Sequence, residues 1–227
     1  MAKAPKTAAE AVAIIDRAVP IIALDVRRGI EDMELLEASN TPVKAALGGV
    51  SVEAIRGHSP VQNALALMLA LAMSRAFDCG SRPIEQQNKA SLPLVGHYLN
   101  RPDVEEAILS RASPNPVVSR AEQQKAIEDF RAAWAGHLSD APMQDALAKL
   151  RSIRDYEIAH SLLDAMPKPP TYGELFAGVG RAAELVVLAQ RAAGHEISDF
   201  EGFRADRAAF SAAFWDAYVQ GVKLVPP

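Results

Sequence analysis

Apolar residues recur at helical spacing along most of the chain, and β-branched residues nowhere alternate with polar ones for long. This pattern predicts an all-α protein with no sheet. The predicted protein is built around three helices at residues 60–78, 119–138 and 142–165. Since only a few residues join the second to the third, these two helices should pack antiparallel in one helical bundle.

Prolines and glycines divide the first part of the chain into shorter predicted helices. Pro20 should kink or split a helix from Thr7 to about Arg28, because proline has no amide hydrogen to donate within a helix. A shorter helix is predicted at residues 31–38. Pro42 lies near another predicted helix start, and Gly48-Gly49 should end that helix.

Capping residues set the predicted bounds of the later helices. Ser59, with Pro60 in the first helical position, should cap the long apolar helix, which is apolar all round at residues 64–73 and should lie at the bundle centre. Thr171-x-x-Glu174 forms a predicted capping box, and Gly194 a predicted C-terminal cap. Further helices are predicted at residues 91–99, at 103–111 with Asp103 as cap, and at 199–220 with Phe203, Phe210, Phe214 and Tyr218 as apolar positions.

The length of 227 residues fits one domain. We therefore predict a single all-helical domain over residues 1–227, with a bundle at about 59–220 and additional N-terminal helices over 1–50. Pro114 and Pro116 mark a loop inside this domain, because composition and charge do not change across it.

Composition narrows the classes of function. The net charge of −4 provides no overall attraction to nucleic acid, and the single cysteine, Cys79, excludes an intrachain disulfide or a cysteine-based zinc site. The apolar run at 64–73 is too short to span a bilayer, and no signal-like segment comes after the basic N-terminus. We expect a soluble, cytoplasmic chain with no cofactor, no metal and no membrane contact.

The predicted helix at Ala146–Asp164 changes the polarity of one face along its length. Ala146, Leu150 and Ile153 share a face when residues are spaced by about 100°. In the second half, the same face carries Arg154, Glu157, His160, Ser161 and Asp164. A face that begins as core thus becomes charged and titratable within two turns.

The residues Arg154-Asp155-x4-His160 match an Arg-x(4–6)-His motif. Two short segments upstream add to the similarity, at Met73–Asp78 and at Ser91–Leu94. On these residues the chain resembles the HEPN superfamily of small helical ribonucleases, in particular its abortive-infection branch. The resemblance covers roughly residues 59–193. It implies a HEPN-like antiparallel bundle.

The resemblance also implies an activity. Arg154 and His160 would be catalytic in metal-independent cleavage of an RNA substrate, with Asp155, Glu157 and Ser161 in support. A histidine can exchange protons near neutral pH, and an arginine presents a planar charged fork to phosphate oxygens. The family arrangement is a homodimer with a composite site. Such proteins act as toxins or phage-defence effectors, and an antitoxin is then a partner.

Two alternatives stay open from the sequence. A non-catalytic HEPN-like module binding RNA, a nucleotide or a protein partner is favoured by the acidic charge, and by Leu162 at the position where some HEPN toxins carry a modified tyrosine. The other is an unrelated helical protein, in which His160 is satisfied by Glu157 or Asp164 on its own helix face and Arg154 forms an ion pair with Glu157.

Other chemistry-bearing residues give weaker signals. The remaining histidines lie apart from one another and from any clear carboxylate set, which argues against a metal motif; they are His58, His97, His137 and His195. Arg75 and Asp78 have the spacing of a structural ion pair on one helix. The polar run Gln86–Lys89 is predicted to be solvated.

Overall fold

The computed structural model describes residues 6–47, 52–78, 82–153 and 168–223, and within these ranges it confirms an all-α helical bundle without strands. The helices are α1 (Ala8–Leu47), α2 (Val52–Ala76), α3 (Leu92–Leu99), α4 (Pro102–Ser110), α5 (Arg120–Ser139), α6 (Ala141–Ile153), α7 (Tyr172–Ala193) and α8 (Phe200–Lys223). A single 3-10 turn lies at Ile84–Gln86. No helix in the described ranges is both long and apolar enough to cross a membrane.

The predicted split at Pro20 and the predicted helix starts near Pro42 and at Pro60 are wrong, whereas the alternative of a kink at Pro20 stays a prediction. α1 continues through Pro20 and Pro42, and α2 contains Pro60 in its interior, so Ser59 caps no helix. The additional N-terminal helices are therefore one long helix. The glycines predicted to end a helix there, Gly48 and Gly49, lie outside the described residues.

Packing explains why Pro20 is tolerated. Pro20 itself is exposed, whereas its neighbours Val19 and Ile22 are buried. An interior proline costs about 3 kcal/mol, and burying each large aliphatic side chain contributes about 1.5–3 kcal/mol. Burial on both sides of Pro20 therefore outweighs the lost backbone hydrogen bond.

Two of the predicted caps are confirmed. Thr171 forms the predicted capping box with Glu174, and Ser119, where a helix was predicted to begin, forms a capping box with Glu122. Gly194 ends α7 with φ of 69°, a conformation that glycine adopts without steric cost. Asp103 is not a cap, because the residue before α4 is Arg101, and Asp103 lies inside the first turn.

The chain divides into two compact units. Unit 1 comprises Met1–Val26 and Met73–Ser198. Its α5 packs most extensively against α7, with α3, α4 and α6 also in contact with α5. The core includes large side chains from several helices, namely Ile15, Leu92, Tyr98, Ile108, Ile127, Phe130, Trp134 and Leu185. The predicted single domain over residues 1–227 stays a prediction, because compactness alone does not define an independently folding domain.

Unit 2 comprises Arg27–Ala72 and Asp199–Pro227. Its core includes Ile30, Met33, Leu36, Leu69, Phe200 and Trp215. The Trp215 indole is buried, and its Nε1 donates a hydrogen bond of 2.8 Å to the backbone carbonyl of Leu35. The buried aromatic side chains of α8 are therefore Phe200 at its start and Trp215 near its end, and Trp215 is the larger.

The apolar run of α2 is less central than predicted. Leu69 and Ala72 are buried, but Leu67 and Met68 are exposed. On α8, Phe210 and Phe214 are also exposed, although the sequence pattern had placed them on the apolar face. These apolar stretches therefore present only one side to a core.

Candidate functional site

The residues predicted from the sequence to form the active site lie outside the described residues. They are Arg154, Asp155, Glu157, His160 and Ser161. α6 is described as far as Ile153, the residue that directly precedes Arg154. The predicted composite site therefore stays a prediction, together with the helical course of the chain from 154 to 166.

The described part of α6 fixes the register that leads into this segment. Met143, Ala146, Leu147 and Leu150 are buried, which confirms the predicted core positions Ala146 and Leu150. Helical spacing from Leu150 leads next to residues 153 and 154, and then to 157. The sequence predicts that the helix continues, and at helical spacing the buried positions of α6 would then be followed by positions 154 and 157.

Lys149 forms two ion pairs, one within α6 and one that connects α6 to the start of α7. Lys149 Nζ lies 2.8 Å from a carboxylate oxygen of Asp145 and 2.6 Å from one of Glu174. The hydrogen bond from Lys149, together with the Thr171 backbone amide, lowers the pKa of Glu174 to about 2. Glu174 therefore caps α7 and pairs with α6 at the same time.

A second cluster joins residues that are far apart in sequence. Arg111 binds both carboxylate oxygens of Asp16, at 2.5 and 2.8 Å, and also donates a 3.0 Å hydrogen bond to the carbonyl of Ala193. His195 Nε2 lies 3.0 Å from the Oδ1 atom of Asp16. Sequence spacing gave no signal for this cluster, because only the fold brings α1 to the ends of α4 and α7.

The charges around Asp16 stabilise its ionised form, which indicates a structural role for the cluster. Burial alone would raise the pKa of Asp16, but hydrogen bonds and charge from Arg111 and His195 outweigh it and hold the pKa at about 2. Both carboxylate oxygens already accept hydrogen bonds. The Asp16 carboxylate is therefore poorly placed to serve as a general base.

His137 occupies a ring stack inside unit 1. Its imidazole lies between Phe77, at 4.9 Å between ring centroids, and Trp134, at 5.0 Å. Burial lowers the pKa of His137, and the charge of Arg181 acts in the same direction. A neutral imidazole in such a stack is a core group, which agrees with its isolation in the sequence.

The other histidines also have neighbours, but they form no metal site. His97 Nε2 lies 3.4 Å from a carboxylate oxygen of Glu85. In unit 2, His58 contacts the edge of Trp215 at 5.1 Å, and burial lowers the pKa of His58. Across the part of the chain that the structure describes, no three His, Cys, Asp or Glu side chains are grouped to hold a metal ion.

Arg75 and Asp78 do not form the expected pair on α2. Arg75 Nε instead donates to Asp25 at 3.1 Å, and Lys89 Nζ lies 2.5 Å from Asp78. Both pairs connect segments that are separated in sequence. The charges at this end of α2 therefore hold the tertiary structure of unit 1 rather than the helix itself.

A cavity of about 520 Å³ lies in unit 1, beside the predicted solvated run Gln86–Lys89. Its remaining lining comes from Lys6, Ile14, Arg17, Ala18, Ile21, Glu85, Ala90 and Leu94. This volume lies within the range of small-molecule pockets. Sequence reasoning missed it because no motif connects the start of α1 with residues 85–90.

Comparison of the chain with protein-family models, with curated proteins and with solved structures found no match. The function must therefore be inferred from the residues themselves and from the geometry of the described helices.

Proposed function

We propose that this chain is a metal-independent endoribonuclease of the cytoplasm, in which Arg154 and His160 cleave RNA. The proposal includes a biological role as a toxin or phage-defence effector, with an antitoxin as its partner. It rests on the motif Arg154-Asp155-x4-His160 and on the all-α fold, which agrees with the resemblance.

The buried register of α6 is the observation that carries this proposal. Ala146, Leu147 and Leu150 are buried on one side of the helix. Continued at helical spacing, that side reaches Arg154, Glu157 and then His160. Placing unpaired charges in a dry core costs several kcal/mol per ion. A hydrated cleft lined by these residues avoids this cost.

The proposed chemistry divides proton transfer between two histidines. His160 takes the proton of the ribose 2′-hydroxyl, the 2′-oxygen attacks phosphorus, and the bond from phosphorus to the 5′-oxygen breaks. His160 of the partner subunit protonates the leaving 5′-oxygen. The products are a 2′,3′-cyclic phosphate and a 5′-hydroxyl. Arg154 stabilises the added negative charge on the phosphate oxygens.

The need for two histidines, one as base and one as acid, leads us to propose a symmetric homodimer. One chain supplies one Arg154 and one His160, whereas the reaction uses both a base and an acid. A two-fold interface brings a residue close to its own copy. We therefore propose that the two-fold axis passes near residues 154–164 and that Asp155, Glu157 and Ser161 support the shared cleft.

The test is cleavage of total RNA by the purified full chain in EDTA. The wild type should produce 2′,3′-cyclic phosphate ends, and His160→Ala and Arg154→Ala should each lower the rate by about 10²–10⁴-fold. Full activity of His160→Ala, or a requirement for Mg²⁺, would show that this mechanism is wrong. Matched controls are His97→Gln and Arg120→Ala, which remove the same chemical groups elsewhere in unit 1.

Light scattering tests the assembly. A dimer at micromolar concentration is expected. A strict monomer would remove the composite site. A monomer whose wild-type form also cleaves no RNA would favour the non-catalytic module. The observation that supports this alternative is the acidic net charge of the chain.

A further inference from the structure

The cavity beside Gln86–Lys89 combines positive charge with an aliphatic wall. We propose that it binds a small aliphatic monocarboxylate, with the carboxylate near Lys6 and Arg17 and the hydrocarbon part against Ile14, Ile21 and Leu94. This binding site is independent of the proposed cleavage of RNA.

The first support is the presence of two cations that form no ion pair among the described residues. Within the described part of the chain, neither Lys6 nor Arg17 has a carboxylate within ion-pair distance. The only side-chain hydrogen bond of Arg17 there is from Nε to the carbonyl of Ala13, which leaves its two terminal nitrogens for a ligand. An anion would supply the missing acceptors.

The charge count favours a monoanion. Lys6, Arg17 and Lys89 contribute three positive charges to the cavity, while Glu85 and the Asp78 carboxylate bound to Lys89 contribute two negative charges. One positive charge remains. A carboxylate neutralises it, whereas a phosphate dianion would leave an excess of negative charge beside Glu85.

The apolar wall favours a hydrocarbon body. α1 contributes Ile14, Arg17, Ala18 and Ile21 to the lining at the spacing of one helix face, so that apolar positions lie on both sides of position 17 along this face. No aromatic side chain is among the described residues that line the cavity. Bases of nucleotides are commonly held by stacking on aromatic rings. An aliphatic chain therefore fits this wall better than a nucleobase.

Tertiary bonds hold the walls in place. Arg101 donates a 3.0 Å hydrogen bond to the carbonyl of Lys6, and Asp103 binds the same guanidinium at 2.6 Å. On the opposite wall, backbone hydrogen bonds close the 3-10 turn before Gln87, and Gln87 Nε2 donates to the carbonyl of Arg82. The backbone around the cavity is thus preorganised on both sides.

The test is titration calorimetry of the full chain with sodium octanoate. Saturable binding is expected, with octanamide (no charge) and acetate (no chain) at least about tenfold weaker. Arg17→Ala should weaken octanoate binding roughly tenfold, the loss of one charged hydrogen-bonding partner. Arg17→Lys should retain most of the affinity, because the charge is kept.

Position 21 provides a matched pair of variants. Ile21 lines the cavity and is 51% exposed, whereas Leu24 on the same helix is 55% exposed and does not line it. Ile21→Asp should abolish octanoate binding, and Leu24→Asp should leave it unchanged. Because both side chains are already half in solvent, both variants should keep the circular dichroism of the wild type.

Four results would overturn the inference. They are the absence of saturable octanoate binding, equal binding of octanoate and octanamide, equal octanoate affinities of Ile21→Asp and Leu24→Asp, and binding of inorganic phosphate or adenosine monophosphate that exceeds that of octanoate and is lost in Arg17→Ala. The last result would assign the cavity to phosphate ligands instead.

Discussion

Asp16 and Asp32 lie on the same helix, α1, but in different compact units, and their carboxyl groups meet opposite surroundings. In unit 1, Arg111 and His195 bind Asp16 and lower its pKa to about 2. In unit 2, burial raises the pKa of Asp32 to about 6, and the neighbouring charge of Glu31 adds to this rise. Residue type and helix are the same, so the difference comes from the surroundings: Arg111 and His195 at Asp16, and burial together with the adjacent Glu31 at Asp32.

This contrast extends to how each unit is stabilised. Unit 1 surrounds its half-buried carboxylate with cations and has a broad core. In unit 2, no side chain among the described residues binds the carboxyl of Asp32, and Trp215 is the largest fully buried side chain in the described ranges. Unit 2 therefore depends more on one residue and has an unfavourable charge that unit 1 avoids.

The largest expected effect is the loss of the Trp215 side chain. Trp215→Ala leaves a cavity and removes the hydrogen bond to Leu35, so the free energy of unfolding should fall by about 3–5 kcal/mol. Urea denaturation measures the change. Hydrogen exchange should locate it in unit 2.

Phe214 is the matched control for this variant. It is 48% exposed, whereas Trp215 is 2% exposed. Phe214→Ala should therefore cost less than about 1 kcal/mol. Similar losses for the two variants would mean that unit 2 does not depend on this indole.

The next effect is a gain in stability on removing the charge of Asp32. Between about pH 4 and pH 6, the folded protein keeps a proton that the unfolded chain has released, so stability falls as the pH rises through this window. Asp32→Asn should therefore stabilise the protein at pH 7. The shift from 3.8 to about 6 corresponds to at most about 3 kcal/mol, and partial solvation reduces this to about 1–2 kcal/mol.

Denaturation curves from pH 3 to 7 measure this gain, which should disappear below about pH 4. The exposed Asp216 of α8 is the control, and Asp216→Asn should change stability by no more than about 0.5 kcal/mol. If Asp32→Asn lowered stability at pH 7, the carboxylate would have a favourable partner, and the contrast with Asp16 would fail.

An effect of similar size and of the opposite sign is expected at Asp16. The folded pKa of about 2 is below that of the unfolded chain, so the stabilisation is complete above about pH 4 and is lost as the pH falls through about 2. Asp16→Asn should cost about 1–2 kcal/mol at pH 7, after allowance for solvent. Acid titration of the two proteins should show their stabilities converging near pH 2.

Asp129 offers a control within unit 1. It forms an exposed pair with Lys125, four residues away on α5, and such pairs contribute about 0.3–0.5 kcal/mol. A cost for Asp16→Asn no greater than that for Asp129→Asn would reduce the Asp16 cluster to an ordinary surface pair.

Features set by neighbouring residues were predictable from the sequence. The capping boxes at Ser119 and Thr171 depend on side chains three residues apart, and the left-handed end of α7 depends on Gly194 alone. The all-α class follows from periodicity that every helix repeats. These features depend only on residues close together in sequence, so they can be predicted without knowledge of the tertiary structure.

Features set by distant residues were not predictable. Locally, Pro20 indicates a break and Pro60 a helix start, but both lie inside helices, and at Pro20 the buried neighbours Val19 and Ile22 account for this. Asp16 contacts His195, which is 179 residues away in sequence. Residues Gln86–Lys89 line a cavity together with residues of α1. For the candidate site, the sequence supplied Arg154 and His160 as a motif, and α6 supports only the register that leads to them.

The positions of the two tryptophans make fluorescence a separate probe of each unit. The chain has two indoles, and one is buried in each unit: Trp134 in unit 1 and Trp215 in unit 2. Emission from a buried indole moves to longer wavelength when water reaches the ring. Replacing one tryptophan with phenylalanine thus makes the remaining one a reporter of its own unit, and the two reporters distinguish concerted from stepwise melting.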